Sequence, residues 1–383
     1  MTFVSEMIYF DHAATTPVHP RVVEAMTPYL SQVYGNPSSV HGFGRKARQA
    51  LEKARDGIAG SLHVDPQALI FTSGGTEADN LAVIGGALAQ QGRGRHVITT
   101  QVEHHAVLHA CEYLEQIGYE VTYLPVDETG MVRMSDLEAA VREDTVLVSV
   151  MYGNNEVGTL QPIAEIGRFL RERRIIFHTD AVQAYGVLPL DPEQLFVDML
   201  SVSAHKINGP KGVGALYLGK HVPISPLLHG GSQERKRRAG TENLSGIVGF
   251  AEAARIATEE REERVAKYNQ IKAAMLGRFQ EAGIAYCVNG HPERTLPHIL
   301  NVSFPGIETE TMLMNLDLVQ VAAASGSACT SGSLELSHVL KAMNLGEERA
   351  ESAIRFSFGI TNTVEEAELA AKKIVQIATR LQK

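Results

Sequence analysis

Met199-Leu200-Ser201-Val202-Ser203-Ala204-His205-Lys206-Ile207-Asn208-Gly209-Pro210-Lys211-Gly212 begins as a short apolar strand and ends as a glycine-rich turn. A lysine at the carboxyl end of a buried strand, among small residues, is poorly exposed for its type. Outward from it the same texture repeats. Apolar runs at Leu69 to Thr72, His96 to Thr100, Glu120 to Leu124, Thr145 to Val150, Ile175 to His178, Met199 to Val202 and Gly214 to Leu218 alternate with amphipathic helical patterns. Val- and Ile-rich strands separated by helices predict an α/β unit on a mainly parallel sheet covered on both faces. Such sheets bind ligands beyond the carboxyl ends of their strands, so chemistry is expected in the loops that follow.

The 383 residues suffice for about two domains, each with its own core. With 44% hydrophobic and 21% charged residues the composition is globular, which excludes a disordered or collagen-like chain. Asp plus Glu outnumber Lys plus Arg by 44 to 35, so the chain carries no footprint for a phosphate backbone, and nucleic acid is not an expected partner. Apolar stretches such as Leu81 to Ala89 fall short of the ~18 residues that cross a membrane, and Met1 to Phe10 lacks a basic leader region. A soluble protein with no membrane partner is expected. Cys111, Cys287 and Cys329 cannot form a disulfide framework in a chain this long, which points to a reducing compartment. No Cys or His spacing suits a metal, and none is assigned. After Leu244 a helical run from Ile247 to Gly283 leads to strand-like segments at Ile299 to Phe304 and Arg355 to Phe358. The last helix opens on a capping box, Thr363 with Glu366, and the C-terminal third reads as α+β.

Four strand ends carry chemistry. Thr72-Ser73-Gly74-Gly75-Thr76-Glu77 joins a strand to a helix, where two glycines let backbone N–H groups approach an anion; a tight turn with an N-cap would look the same. Lys206 is an amine that desolvation would make neutral and able to join a carbonyl, although a surface loop lysine is the plainer alternative. His178-Thr179-Asp180-Ala181-Val182-Gln183 delivers a carboxylate to the same edge, unless Asp180 merely caps a helix. His104, in Glu103-His104-His105, could lie flat on a ring and handle protons near neutral pH. A phosphate cradle, an amine and an acid facing a ring nitrogen are together what pyridoxal phosphate requires.

Taken in order along the chain, Asn154-Asn155-Glu156-Val157-Gly158, His178-Thr179-Asp180-Ala181-Val182-Gln183, Ser203-Ala204-His205-Lys206 and Ser325-Gly326-Ser327-Ala328-Cys329-Thr330-Ser331-Gly332 resemble the group I cysteine desulfurases of the NifS and IscS type, in the class V aminotransferase family. The likeness runs from Tyr9-Phe10-Asp11-His12 to Arg355-Phe356-Ser357-Phe358. It implies a fold type I pyridoxal 5'-phosphate transferase and a homodimer. The large domain would span residues 14–255, and residues 1–13 and 256–383 would form the smaller α+β domain that carries the cysteine loop. It also implies Lys206 as the Schiff-base lysine, Asp180 at the pyridinium nitrogen, His104 on the ring, and Gln183 and Asn155 near the phenolic oxygen. Gly75, Thr76, Ser203 and His205 would hold the phosphate, Thr241 would reach the phosphate of the neighbouring subunit, and Asn155 and Arg355 would bind the substrate, with the Arg355 guanidinium clamping the substrate carboxylate.

By the same resemblance Cys329 takes sulfur from L-cysteine, giving L-alanine and an enzyme persulfide, with Lys206 and His104 moving protons. Its neighbours are small, as a loop that carries sulfur to an acceptor requires. Cys111 and Cys287 suit the structural role better. A selenocysteine lyase or a class V aminotransferase would share the Lys206 machinery without needing Cys329. The expected setting is cytoplasmic, with an acceptor such as an iron-sulfur scaffold.

Overall fold

The computed structural model describes residues 7–326 and 336–382. After a two-residue strand β1 (Ile8–Tyr9), seven strands build the main sheet among the described residues: β2 (Leu69–Thr72), β3 (His96–Thr100), β4 (Glu120–Leu124), β5 (Thr145–Ser149), β6 (Ile176–Asp180), β7 (Met199–Ser203) and β8 (Gly214–Leu218). They lie in the order β2-β8-β7-β6-β5-β3-β4. From β4 to β7 neighbours are parallel, and β8 runs antiparallel to both β7 and β2. The strands and their bounds follow the sequence pattern closely, because each is an apolar run bounded by turn residues.

Alternate side chains pack against the helices on the two faces of the main sheet. Ile98, Val148, Phe177 and Leu200 meet the Gly42–Ser61, Ile163–Glu172 and Leu244–Glu259 helices, while Val97, Leu147, Ile176 and Met199 meet the His105–Gln116 helix on the other face. Burial on both faces is what a mainly parallel sheet demands. β6 runs two residues beyond the apolar stretch, since Thr179 and Asp180 still pair with Leu200 and Ser201 of β7. Asp180 is thus the last residue of a strand rather than a helix cap.

A second core surrounds β9 (Cys287–Asn289), β10 (Ile299–Ser303), β11 (Val321–Ala322) and β12 (Ala353–Ser357). β12-β10-β9 form an antiparallel sheet, and β1 pairs with β11 in parallel. Phe10, Phe304, Phe356 and Phe358 pack there against the Arg261–Ala282 and Val364–Leu381 helices. Ile8 and Phe10 therefore tie the N-terminal segment to the C-terminal third. The single helical run expected from Ile247 to Gly283 is two helices, Leu244–Glu259 and Arg261–Ala282. The first packs into the main-sheet core and the second into the other, so the chain must turn at Glu260. The capping box of Thr363 and Glu366 forms in both directions.

One buried ion pair fastens the short helical turn Gln233–Lys236 to the sheet. Arg55 donates to both carboxylate oxygens of Glu234, at 3.0 and 2.6 Å, and to the Leu69 carbonyl at 3.0 Å. Glu234 also accepts from the Phe71 amide at 3.1 Å. Removing one partner strands the other charge out of water, so Glu234→Ala is expected to cost about 3–5 kcal/mol. Urea unfolding at neutral pH checks this; a loss under about 1 kcal/mol would mean that water reaches Arg55.

Candidate active site

Beyond the carboxyl ends of β5, β6 and β7 lies a cavity of about 420 Å3. Gly75, Thr76, His104, Asn155, Asp180, Gln183, Ser203, His205, Lys206 and Arg355 all line it. Positions scattered over some 280 residues of sequence meet there because parallel strands end on one edge. Thr241 is exposed and is not among the lining residues, and Cys329 lies outside the described residues. Gly326 and His338, which flank the cysteine segment in sequence, both belong to the wall.

The Lys206 ammonium donates to the carbonyls of Ala13 and, at 2.8 Å, Ala14, which brings the N-terminal segment across the site. Gln183 donates to the Ala13 carbonyl at 3.0 Å, and its amide oxygen meets His298 at 3.3 Å. Asp180 accepts from the Val182 amide at 2.9 Å, yet burial raises its proton affinity. Arg355 is buried and donates to Asp11 at 2.8 Å and to the carbonyls of Asn155 and Gly326 at 3.0 and 2.7 Å. Ordinarily such a guanidinium would be spent, but its Nε has no partner among the described residues.

His104 is the N-cap of the His105–Gln116 helix, and its Nδ1 accepts from the Ala106 amide at 3.1 Å. A neutral imidazole that accepts at Nδ1 carries its proton on Nε2. Burial, with Lys206 nearby, lowers its pKa to about 4, so the near-neutral titration expected for it does not occur in this setting. His205 is lowered to about 4 for the same first reason and meets Thr15 at 3.2 Å.

The cavity fits pyridoxal phosphate on its own terms. Ser203 Oγ is buried without a partner among the described residues, beside the helix start at Gly75 and Thr76. Unmet donors next to a helix N-terminus are an anion seat. Glu77 does not spoil it: the Arg238 guanidinium holds that carboxylate at 2.8 and 3.1 Å and pulls its pKa down against the opposing effect of burial. Lys206 and Asp180 line the same cavity and are an amine and an acid of the kinds that the ring would need. Among the described residues no group of three or more His, Cys, Asp or Glu is placed to hold a metal ion.

Several wall residues escape sequence reasoning. Asp79 lies one helical turn after Thr76, a spacing that could have flagged it. Glu156, in the quoted Asn-Asn-Glu run, is buried with its pKa raised by burial, and its carboxylate accepts from Ser337 at 2.5 Å. His338 carries no local signal, whereas His105 stands beside His104 in the quoted run; the rings of His105 and His338 lie tilted at 58° with centres 4.7 Å apart. Cys111 is buried with its thiol pKa pushed up by burial, and Cys287 sits half-buried in β9, away from the cavity.

Residues 8–369 match the family described as Aminotransferase class-V. The chain is 56% identical over 378 residues to the Bacillus subtilis (strain 168) protein named IscS 1, covering 98% of this chain and all of that protein. It is 47% identical over 377 residues to the cysteine desulfurase IscS of Methanosarcina thermophila, covering 98% and 93%. A solved structure described as a NifS-like protein superposes with a TM-score of 0.92 at 41% identity, covering 98% of this chain and all of that one. Among the described residues, no helix is long and apolar enough to cross a membrane.

Glu103, behind the site, is wholly buried: Oε1 accepts from Thr100 and the Met151 amide at 2.8 and 2.9 Å, and Oε2 has no partner among the described residues. Burial raises its pKa from 4.5 to about 8. The folded chain then holds a proton that the unfolded chain has lost, so this group subtracts stability as pH rises from 4.5 towards 8. Glu103→Gln removes the titration. The stability of the variant relative to the parent is expected to climb across that window, with a slope approaching about 1.4 kcal/mol per pH unit, as followed by urea unfolding at several pH values. A difference that does not change with pH would mean that Glu103 is ionised in the fold.

Proposed function

The chain belongs to the class-V aminotransferase family, and from that premise we propose a pyridoxal-phosphate cysteine desulfurase that moves sulfur from L-cysteine to Cys329 and releases L-alanine. The observation that carries this is the meeting of Lys206, Asp180, His104 and the unpartnered Ser203 hydroxyl in one cavity whose wall includes both flanks of the cysteine segment. Gly75, Thr76, Ser203 and His205 would hold the phosphate, Asp180 the ring nitrogen, and His104 would cover the ring. When bound, the cofactor supplies a carbonyl that captures the substrate amine and a ring that withdraws electrons from the substrate carbon.

The chain supplies the rest. Arg355 receives the substrate carboxylate, its fork oriented beforehand by Asp11 and the two carbonyls. Lys206, released from its contact with the Ala13 and Ala14 carbonyls, moves the proton at the substrate α-carbon. His104 Nε2–H, fixed by the N-cap contact of Nδ1, is a proton donor rather than a base in the resting site. The Cys329 thiolate forms an S–S bond to the substrate sulfur while the C–S bond breaks. The bonding pair stays with the three-carbon fragment, which takes up a proton and leaves as alanine.

The persulfide left on Cys329 passes to an acceptor protein such as an iron-sulfur scaffold, in a cytoplasmic setting. Leu30, Tyr34, Val40 and Phe43 are exposed together with Thr241; Val40 is 88% exposed. An apolar surface of this kind favours a homodimer in which Thr241 reaches the phosphate of the other subunit. The division into a large domain, 14–255, and a smaller one, 1–13 with 256–383, is supported by the separate core around Phe10, Phe304 and Phe356.

Two variants test the assignment. Cys329→Ser is expected to bind cofactor and L-cysteine, seen by absorbance, while sulfide release falls by at least about a hundredfold, as for loss of a nucleophile. Full sulfide production would overturn the role of Cys329. Arg355→Lys is expected to raise KM for L-cysteine about tenfold or more, because an ammonium cannot reproduce the two-pronged contact; an unchanged KM would remove Arg355 from the substrate site.

A further inference from the structure

Asp79 belongs to the cavity wall and has no part in the chemistry above. It is 1% exposed, lines the cavity, and its Oδ1 has no hydrogen-bond partner among the described residues. The nearest cationic candidate is His178 Nε2 at 3.7 Å, too far for a hydrogen bond. His178 is occupied elsewhere: Nδ1 meets Ser149 Oγ at 2.8 Å and Nε2 meets Ser201 Oγ at 2.9 Å. Burial lowers its pKa to about 3, so it offers no positive charge. Asp79 shares the cavity wall with Asp180, His104 and Lys206; Asp180 and Glu103 raise its proton affinity and Ser201 opposes them, and among the described residues no ammonium or guanidinium group forms an ion pair with it.

An ionised carboxylate with one bare oxygen in such a place is far costlier than a protonated one. Two neighbouring buried carboxyls cannot both be charged. Asp180 has the stronger claim to the charge, since the Val182 amide and Lys206 favour its ionised form. Asp79 has burial and two acidic neighbours, Asp180 and Glu103, raising its proton affinity, against only Ser201 in the other direction.

We propose that Asp79 is a positioning residue that carries a proton at working pH and acts through Asp180, keeping that side chain ionised and aimed at the ring of the bound cofactor. The Gly75–Asn80 helix makes this a rigid arrangement. Its first residues face the phosphate seat and Asp79 lies one turn further in, with the helix pinned by Asn80, which donates to the Ala106 carbonyl at 3.0 Å. One short helix thereby sets the distance between the anion seat and Asp79. The proposal rests on the pyridoxal-phosphate reading, and its test has one arm that needs no cofactor.

In the first arm, the infrared spectrum of the cofactor-free chain contains a buried carboxylic-acid carbonyl band that Asp79→Asn removes and Glu103→Gln leaves in place. If D79N removes no such band, Asp79 is ionised and the proposal fails whatever the cofactor does. In the second arm, Asp79→Ala speeds release of bound pyridoxal phosphate about tenfold, the usual order for losing a group that orients a ligand-binding side chain, and Asp79→Asn recovers most of that loss. The pH midpoint of the bound cofactor absorbance is expected to stay within about 0.3 unit in D79N, since no charge has been removed. A fall of about one unit or more in D79N would mean that a buried negative charge was lost, and would overturn the proposal. So would release from D79A at the parental rate. A parent chain that takes up no pyridoxal phosphate would instead overturn the cofactor assignment, together with this role.

Discussion

The structure depends on how few charges it can carry at the carboxyl edge of its main sheet. Asp79, Glu103, Glu156 and Asp180, with His104, His178, His205 and Lys206, are brought there by the ends of parallel strands and the helices that follow them. Burial pushes the carboxyls up and the imidazoles down, so most of these groups are held neutral. What remains ionised then acts with little screening. In the proposed site, an Asp180 charge facing a ring nitrogen and an Arg355 charge facing a carboxylate would gain their strength from the neutrality around them.

The second core supplies what the sheet edge lacks. β12 carries Arg355 in mid-strand, and the N-terminal segment lays the Ala13 and Ala14 carbonyls over Lys206 while Asp11 holds the guanidinium. Phe10 anchors that segment among Phe304, Phe356 and Phe358. The packing of a few aromatic rings thus fixes the reach of two charged groups in the cavity. The two ends of the chain meet at the site because both belong to the same core.

Much of this was legible along the chain. The seven strands of the main sheet are apolar runs between turn residues, and their order of chemistry-bearing ends follows from parallel packing, so Lys206, Asp180 and His104 could be read as neighbours. The capping box at Thr363 was equally plain, being a purely local contact. The break at Glu260 was hidden because periodicity does not say which core each half of a helical run faces. The extension of β6 to Asp180 was hidden by its polar residues, which only pairing with β7 explains. The neutral state of His104 could not be read either: desolvation depends on everything packed around a side chain, and the two histidines in Glu103-His104-His105 differ only in where the helix cap points them. Asp79 and Glu156 look like ordinary surface acids in sequence, and their burial is wholly a matter of tertiary contact.

The central claim is that this cavity, loaded with pyridoxal phosphate on Lys206, takes sulfur from cysteine without any amino-group acceptor. The most direct measurement incubates the purified protein with L-cysteine and a thiol reductant, no keto acid present, and counts alanine and sulfide against time. Equal amounts of both, abolished in Lys206→Ala, are predicted. Alanine that appears only when a keto acid is added, or sulfide that persists in Lys206→Ala, would contradict it.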